Sequence, residues 1–337
     1  NLPEPILHIV TPFGPQQTDS TWLPEVSMDV EWAHVMAPAA AINLVVAKSS
    51  NDVDLYYAIK YAIDHNLGDV ISLSFGESEL CIDPRLRRAQ HRLFEKAARK
   101  GITILAATGD SGSAQNSCDN NSLQQAVSLP AADPLATAVG GTTLTADAAT
   151  GKYISETTWN ESEGLNKAAG GGYSTVFARP TYQDGVTGNT PGRAIPDISL
   201  NASINGGVLV YRSDKHPLTI LGGTSVGAPE LAGIIADGVQ MAHHRLGAIN
   251  PALYKLGQSK GYNQIMNDIT SGNNMLTISK VPGYTAHKGW DAATGWGSPK
   301  QAEAFLHALI GASTASDPIT SHKPPDVPCP PQHTKSR

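Results

Sequence analysis

Residues 70–107 read VISLSFGESELCIDPRLRRAQHRLFEKAARKGITILAA, and their pattern decides the fold class. Val70–Ser74 is a short, mainly apolar run of the kind that forms a strand buried on both faces. Pro84–Lys100 follows as a long amphipathic helix. Pro84 sits near its first turn, where a missing N–H costs little, and Gly101 closes it just beyond the last turn. Ile102–Ala107 is then the next buried strand. Working outward, Ile42–Ala47 reads as an earlier strand and Ala136–Val139 as a later one. Leu55–His65 reads as a helix, with Leu55, Ala58, Ile59, Ala62 and Ile63 on one face. This alternation predicts an α/β fold with a mostly parallel central sheet and helices on both faces. Ligands in such sheets bind beyond the carboxyl ends of the strands. Ser74-Phe75-Gly76-Glu77 and Thr108–Ser113 are therefore expected to line a site.

The rest of the composition narrows the class. Of 337 residues, 40% are apolar and only 16% charged, enough for one large core. A formal charge of −6 with no Lys/Arg run argues against nucleic-acid binding. No apolar stretch approaches the ~20 residues that span a membrane. Two readings stand for the cysteines: a Cys81–Cys118 bridge with Cys329 left over, or three unpaired thiols. Residues 140–225 are rich in Gly, Thr and Asn and read as hairpins and long loops. From 313 to 337 the chain turns to Pro, Ser, Thr and Lys, which predicts a disordered tail after a domain over 1–312.

Three carboxylates and a serine stand out. Glu25 and Asp29 lie four apart in a predicted helix running to about Met36, so they share a face. Two like charges so placed are unfavourable unless the pair holds a proton. Alone, the pair reads as a solvated acidic face and says little. Asp110 lies in the small-residue turn Thr108–Ser113, where an Asp also commonly bonds its own backbone. Ser225 lies in Gly222-Gly-Thr-Ser-Val-Gly-Ala-Pro229, a small-residue turn entering a helix that runs to about His243. Backbone N–H groups there favour developing negative charge, although a serine in that place also serves as a helix cap. A nucleophilic serine needs a base. Of eleven histidines only His34 lies near another candidate, five residues after Asp29.

At this point seven segments fall in one order: Glu25–Asp29, Ser72–Gly76, Gly109–Gly112, Gly170–Phe177 with Arg179-Pro180, Ile195–Ser199, Gly222–Pro229, and Asn267–Gly272 with Gly289–Asp291 and Thr294-Gly295. In this they resemble the sedolisin family, the serine-carboxyl peptidases, over roughly residues 20–310. The resemblance implies a subtilisin-like fold and an acid-active serine endopeptidase. It implies Ser225 as nucleophile, Glu25 as general base, Asp29 as its support and Asp110 as the protonated oxyanion donor. It implies substrate pairing along Ser74, Phe75 and Gly76. It also implies one Ca²⁺ held by Asp268 and Asp291 side chains and by carbonyls of Ile269, His287 and Gly289. A tripeptidyl-type exopeptidase, an inactive binding homologue and a histidine-dependent hydrolase using His34 are the alternatives. The protein is expected to be a secreted monomer whose partner is a protein or peptide substrate, and the activation propeptide that the resemblance implies is expected to be absent from this chain. Glu25 comes early for this family. The domain's opening strand is therefore expected to be missing, or to be replaced in altered form by Asn1–Ser20.

Overall fold

The computed structural model describes residues 2–14, 19–213 and 217–313. Strand β1 (Ile6–Val10) leads to helix α1 (Leu23–Met36), strand β2 (Ala41–Val45), helix α2 (Asp52–Asp64) and strand β3 (Val70–Leu73). Helix α3 (Pro84–Arg99) and strand β4 (Thr103–Ala107) follow, then the long strand β5 (Thr137–Ala146), β6 (Tyr153–Thr158) and β7 (Ile198–Asn201). A hairpin of β8 (Val208–Tyr211) and β9 (Leu218–Leu221) precedes helix α4 (Thr224–Ala242), with α5 (Asn250–Gly257) and α6 (Ala302–Ser313) last. Helix α6 ends on Ser313, and the tail expected beyond it, with Cys329, lies outside the described residues.

Strands β3, β4, β5 and β7 are parallel, while the outer half of β5 pairs antiparallel with β6. The alternation of side chains along each strand explains the two-sided burial. Ile104, Ala106 and Ala138 face a cluster with Ile59 and Ile63 of α2 and Phe94 and Ala97 of α3. Leu105, Val139, Ile198 and Leu200 face the other way, against Leu231 and Ile235 of α4. The parallel α/β architecture expected from residues 70–107 is thus present. The buried Arg193 guanidinium pairs with Asp197 at 2.5 Å, and Asp197 accepts the Ala138 N–H at 2.7 Å. That pair fixes the start of β7 against β5.

Of the two readings for the start of the chain, the structure shows a strand within Asn1–Ser20. Strand β1 pairs in parallel with β2, from Ile6 opposite Ala41 to Val10 opposite Val45, as a separate two-stranded sheet. Its side chains are mostly exposed, Ile9 by 66%, so it adds hydrogen bonds but little apolar burial.

Helix α1 begins with Pro24 in its first turn and lies along α4. The helices approach closely because α4 carries Gly233 at the crossing. A Cβ there would come within 2.9 Å of the Ala33 carbonyl and 2.5 Å of Met36 Cβ. This contact carries the acidic face of α1 to the N-terminus of α4.

Candidate active site

Three elements bring the predicted residues together. Helix α1 supplies Glu25 and Asp29, the turn after β4 supplies Asp110, and the first turn of α4 supplies Ser225. Ser74, at the carboxyl end of β3, links two of them. Its hydroxyl donates to Asp29 Oδ1 at 2.6 Å and also lies 3.2 Å from the Ser225 carbonyl. That carbonyl is available for a local reason. Pro229 is four residues further on and has no N–H to give it. Ser74, expected only as a substrate-pairing residue, therefore also ties the two helices at the site.

Asp110 is held through one oxygen. Its Oδ1 accepts the Thr224 N–H at 3.0 Å and the Thr224 hydroxyl at 3.1 Å, and that hydroxyl in turn accepts the Gly109 N–H at 3.0 Å. Its Oδ2 stays towards the cleft, packed over Gly223. That residue has φ +113°, and a Cβ on it would stand 2.8 Å from Oδ2. Glycine is needed there on both counts. The ammonium of Lys167 lies 3.8 Å from the same Oδ2.

The α1 carboxyls have few donors. Oε1 of Glu25 is buried without a hydrogen-bond partner. Burial pushes Glu25 above the usual carboxylate range; the Ser225 hydroxyl opposes this and the charge of Asp110 adds to it. Burial also raises Asp29 well above the usual carboxylate range, with the Glu25 charge adding and the Ser74 hydroxyl opposing. The two behave as one pair that retains a proton.

Two cavities open on this centre. One of about 400 Å³ is lined by Glu25, Asp52, Tyr56, Phe75 and Glu77 among others. The other, of about 490 Å³, is lined by Asp110, Lys167, Thr224 and Ser225. Both include Ser74, Phe75 and Gly76, so they form one cleft along that segment. Glu77, which lines both cavities next to that segment, is raised to about 7 by burial and by the neighbouring Asp52. Among the described residues lining either cavity there is no histidine. His34 is buried elsewhere on α1 and bonds through Nε2 to the Pro3 carbonyl at 3.0 Å. Cys81 and Cys118 form a disulfide beside the second cavity, which selects the first of the two readings of the cysteines.

The residues expected to bind calcium also meet. Asp268 accepts the Gly289 N–H at 3.1 Å, and Asp291 Oδ2 accepts the His287 N–H at 3.0 Å. Asp291 Oδ1 takes three further donors from Ala293 and Thr294. Two carboxylates thus hold one loop whose carbonyls are hard oxygen donors, a set that fits Ca²⁺. Among the described residues no cluster of three or more His, Cys, Asp or Glu side chains suited to a metal occurs. Any ion here would rest on the two carboxylates together with those carbonyls.

Thr224, Lys167 and Asp52 lie at the site without having been expected there, whereas Glu77 was expected to line it. Thr224 lay within the quoted segment around Ser225 but was passed over. Lys167 reaches Asp110 from 57 positions further along the chain and gives no local signal.

Residues 18–266 match the model of the subtilase family. Kumamolisin of a Bacillus species (strain MN-32) is 34% identical over 303 residues, 87% of this chain and 52% of that protein. Tripeptidyl-peptidase 1 of the dog is 30% identical over 316 residues, 85% of this chain and 52% of that protein. The solved structure of Pseudomonas sedolisin, a serine-carboxyl proteinase complexed with two molecules of pseudo-iodotyrostatin, superposes with a TM-score of 0.81 at 30% identity. That match covers 93% of this chain and 86% of that one. The chain spans about half the length of the curated relatives it matches.

Proposed function

The chain belongs to the sedolisin family of subtilisin-like serine peptidases, and on that premise we propose that it is an acid-active serine-carboxyl endopeptidase. The reading rests on one observation. Glu25, Asp110 and Ser225 line one cleft, with Asp29 buried beside Glu25, and the described lining contains no histidine.

In this reading Ser225 Oγ attacks the scissile carbonyl carbon and gives its proton to Glu25. The carbonyl electron pair moves onto oxygen and meets a hydrogen donated by Asp110. Oδ1 of Asp110 already accepts from Thr224, so the donated proton sits on Oδ2, which faces the cleft. Glu25 then passes its proton to the leaving amine, and water repeats the sequence to release the acyl group. Asp29, buried against Glu25 and held by Ser74, stabilises the proton on the pair. The Ser74-Phe75-Gly76 segment pairs with the extended substrate backbone.

The chemistry sets a bell-shaped pH profile on the acid side of neutrality. Glu25 must be charged to accept a proton, so activity falls on the acid side as the pair protonates. Burial places that limb above the ~4.3 of a free Glu. In this reading Asp110 acts only as a hydrogen donor in its protonated form, so little activity is expected at neutral pH. The test is cleavage of denatured casein between about pH 3 and 8, with Ser225→Ala and Glu25→Ala alongside. An alkaline optimum, or full activity in both variants, overturns the proposal; loss of activity in His34→Ala alone would restore a histidine mechanism.

We place the enzyme outside the cell, where a disulfide such as Cys81–Cys118 persists. Asp268, Ile269, His287, Gly289 and Asp291 would hold Ca²⁺, whose part is to cross-link this loop. Chelation should lower Tm, and Asp291→Ala should make Tm insensitive to chelator.

A further inference from the structure

Lys167 is the cation among the described residues lining the second cavity, where Asp110 and Glu77 are the acids. Its backbone is fixed. The neighbouring Ala168 donates to the Asp110 carbonyl at 3.1 Å and accepts the Gly112 N–H at 2.9 Å, so this strand lies against the Asp110 turn. Across the ladder Lys167 stands opposite Glu161. That carboxylate is already taken by Trp159, Ser203, Ile204 and Asn205. The remaining facing acid is Asp110, at 3.8 Å, beyond direct hydrogen-bond distance. The Lys167 side chain is 45% exposed, and the cavity lining also carries the neutral polar groups Gln115, Asn116 and Asn120.

The proposed reaction changes this balance. When Asp110 carries the proton that it donates, its charge is gone and the ammonium beside it has no facing anion. A lysine remains charged at acid pH. Asp and Glu side chains of a substrate, with reference values of ~3.9 and ~4.3, are largely ionised at about pH 5. We propose that Lys167 is a specificity-determining residue that selects a substrate with an acidic side chain next to the scissile bond. This rests on the reading of Asp110 as a protonated donor. Because Lys167 is half exposed, the discrimination should be about two- to fivefold, and it should fade at about 1 M salt.

The test uses quenched-fluorescent peptides that differ only by Glu or Gln, with the pair walked through each position on both sides of the cleaved bond. Each ratio of kcat/KM is taken within one enzyme at about pH 5. In the unaltered protein one position should favour Glu two- to fivefold. Lys167→Met should bring that ratio to unity, and Lys167→Glu should invert it in favour of a Lys-bearing peptide. The proposal is overturned if no position discriminates, or if the Glu preference survives Lys167→Met. Failure of the catalytic reading shows separately, as cleavage of the Gln peptide by Glu25→Gln at the unaltered rate.

Discussion

The wall of the cleft built by α1 and the wall built by the Asp110 turn both carry carboxyl groups, and they surround them in opposite ways. Glu25 and Asp29 are buried with little to bond to: Oε1 of Glu25 has no partner, and Asp29 has the hydroxyl of Ser74. Asp110 is met by the Thr224 N–H and hydroxyl on one oxygen and by Lys167 near the other. The first environment penalises charge, so a proton stays on the pair and the base that forms when it leaves is a strong one. The second fixes orientation, leaving a single oxygen free for the substrate. One residue class is thereby given two tasks by its surroundings.

The most direct way to break this comparison is to remove the reacting groups. Ser225→Ala and Glu25→Gln should each lower kcat by about 10⁴- to 10⁶-fold, and the double variant should be scarcely worse, because the two act as one unit. Additive losses in single-turnover assays would mean that Glu25 does not take the serine proton.

Asp110 offers a smaller effect with a sharper signature. Asp110→Ala should cost about 10²- to 10³-fold in kcat, as loss of one oxyanion donor does elsewhere. Asp110→Asn keeps an acceptor for Thr224 and presents N–H groups that need no protonation. Its kcat should stay flat on the alkaline side, where the unaltered enzyme declines. An alkaline limb unchanged by Asp110→Asn would show that another group sets it.

Legibility followed the range of the interactions. The strands around residues 70–107 were readable because alternating burial is written into adjacent positions. The neighbourhoods of Glu25, Asp110 and Ser225 were readable because each is a short segment with few allowed conformations. The α1–α4 approach at Gly233, the reach of Ser74 to the Ser225 carbonyl and the placing of Lys167 beside Asp110 each join residues far apart in the chain. No local pattern reports such contacts. Strand β1 was left open because Ile6–Val10 stays exposed in the fold and lacks the burial that makes a strand pattern compelling.

Glu230 isolates the burial half of the comparison. It lies one turn beyond Ser225 on α4, buried, and burial alone raises it to about 8. The folded state thus retains a proton that the unfolded chain releases above ~4.3. Stability should fall as pH rises from there to about 8, by roughly 3–5 kcal/mol from this group. Glu230→Gln should remove most of that slope, with Tm near the unaltered value at acid pH and higher at pH about 8. Identical slopes in scanning calorimetry would show that burial of this carboxyl costs nothing.

Ser74→Ala probes the hydroxyl that meets Asp29 on the α1 wall, and its effect should be the smallest. The hydroxyl favours the charged form of Asp29 and so opposes burial. Without it the Glu25–Asp29 pair should hold its proton to higher pH. The acid limb of kcat/KM should then move upward, with a loss of about tenfold below the new limb and little change above it. The Ser225 carbonyl loses its partner in the same variant, which would lower kcat evenly across the profile if anchoring of the helix were the larger effect. A shifted limb assigns Ser74 to the proton balance of the pair, a uniform drop assigns it to the placement of α4, and Ser74→Thr, which keeps the hydroxyl, should restore whichever is lost.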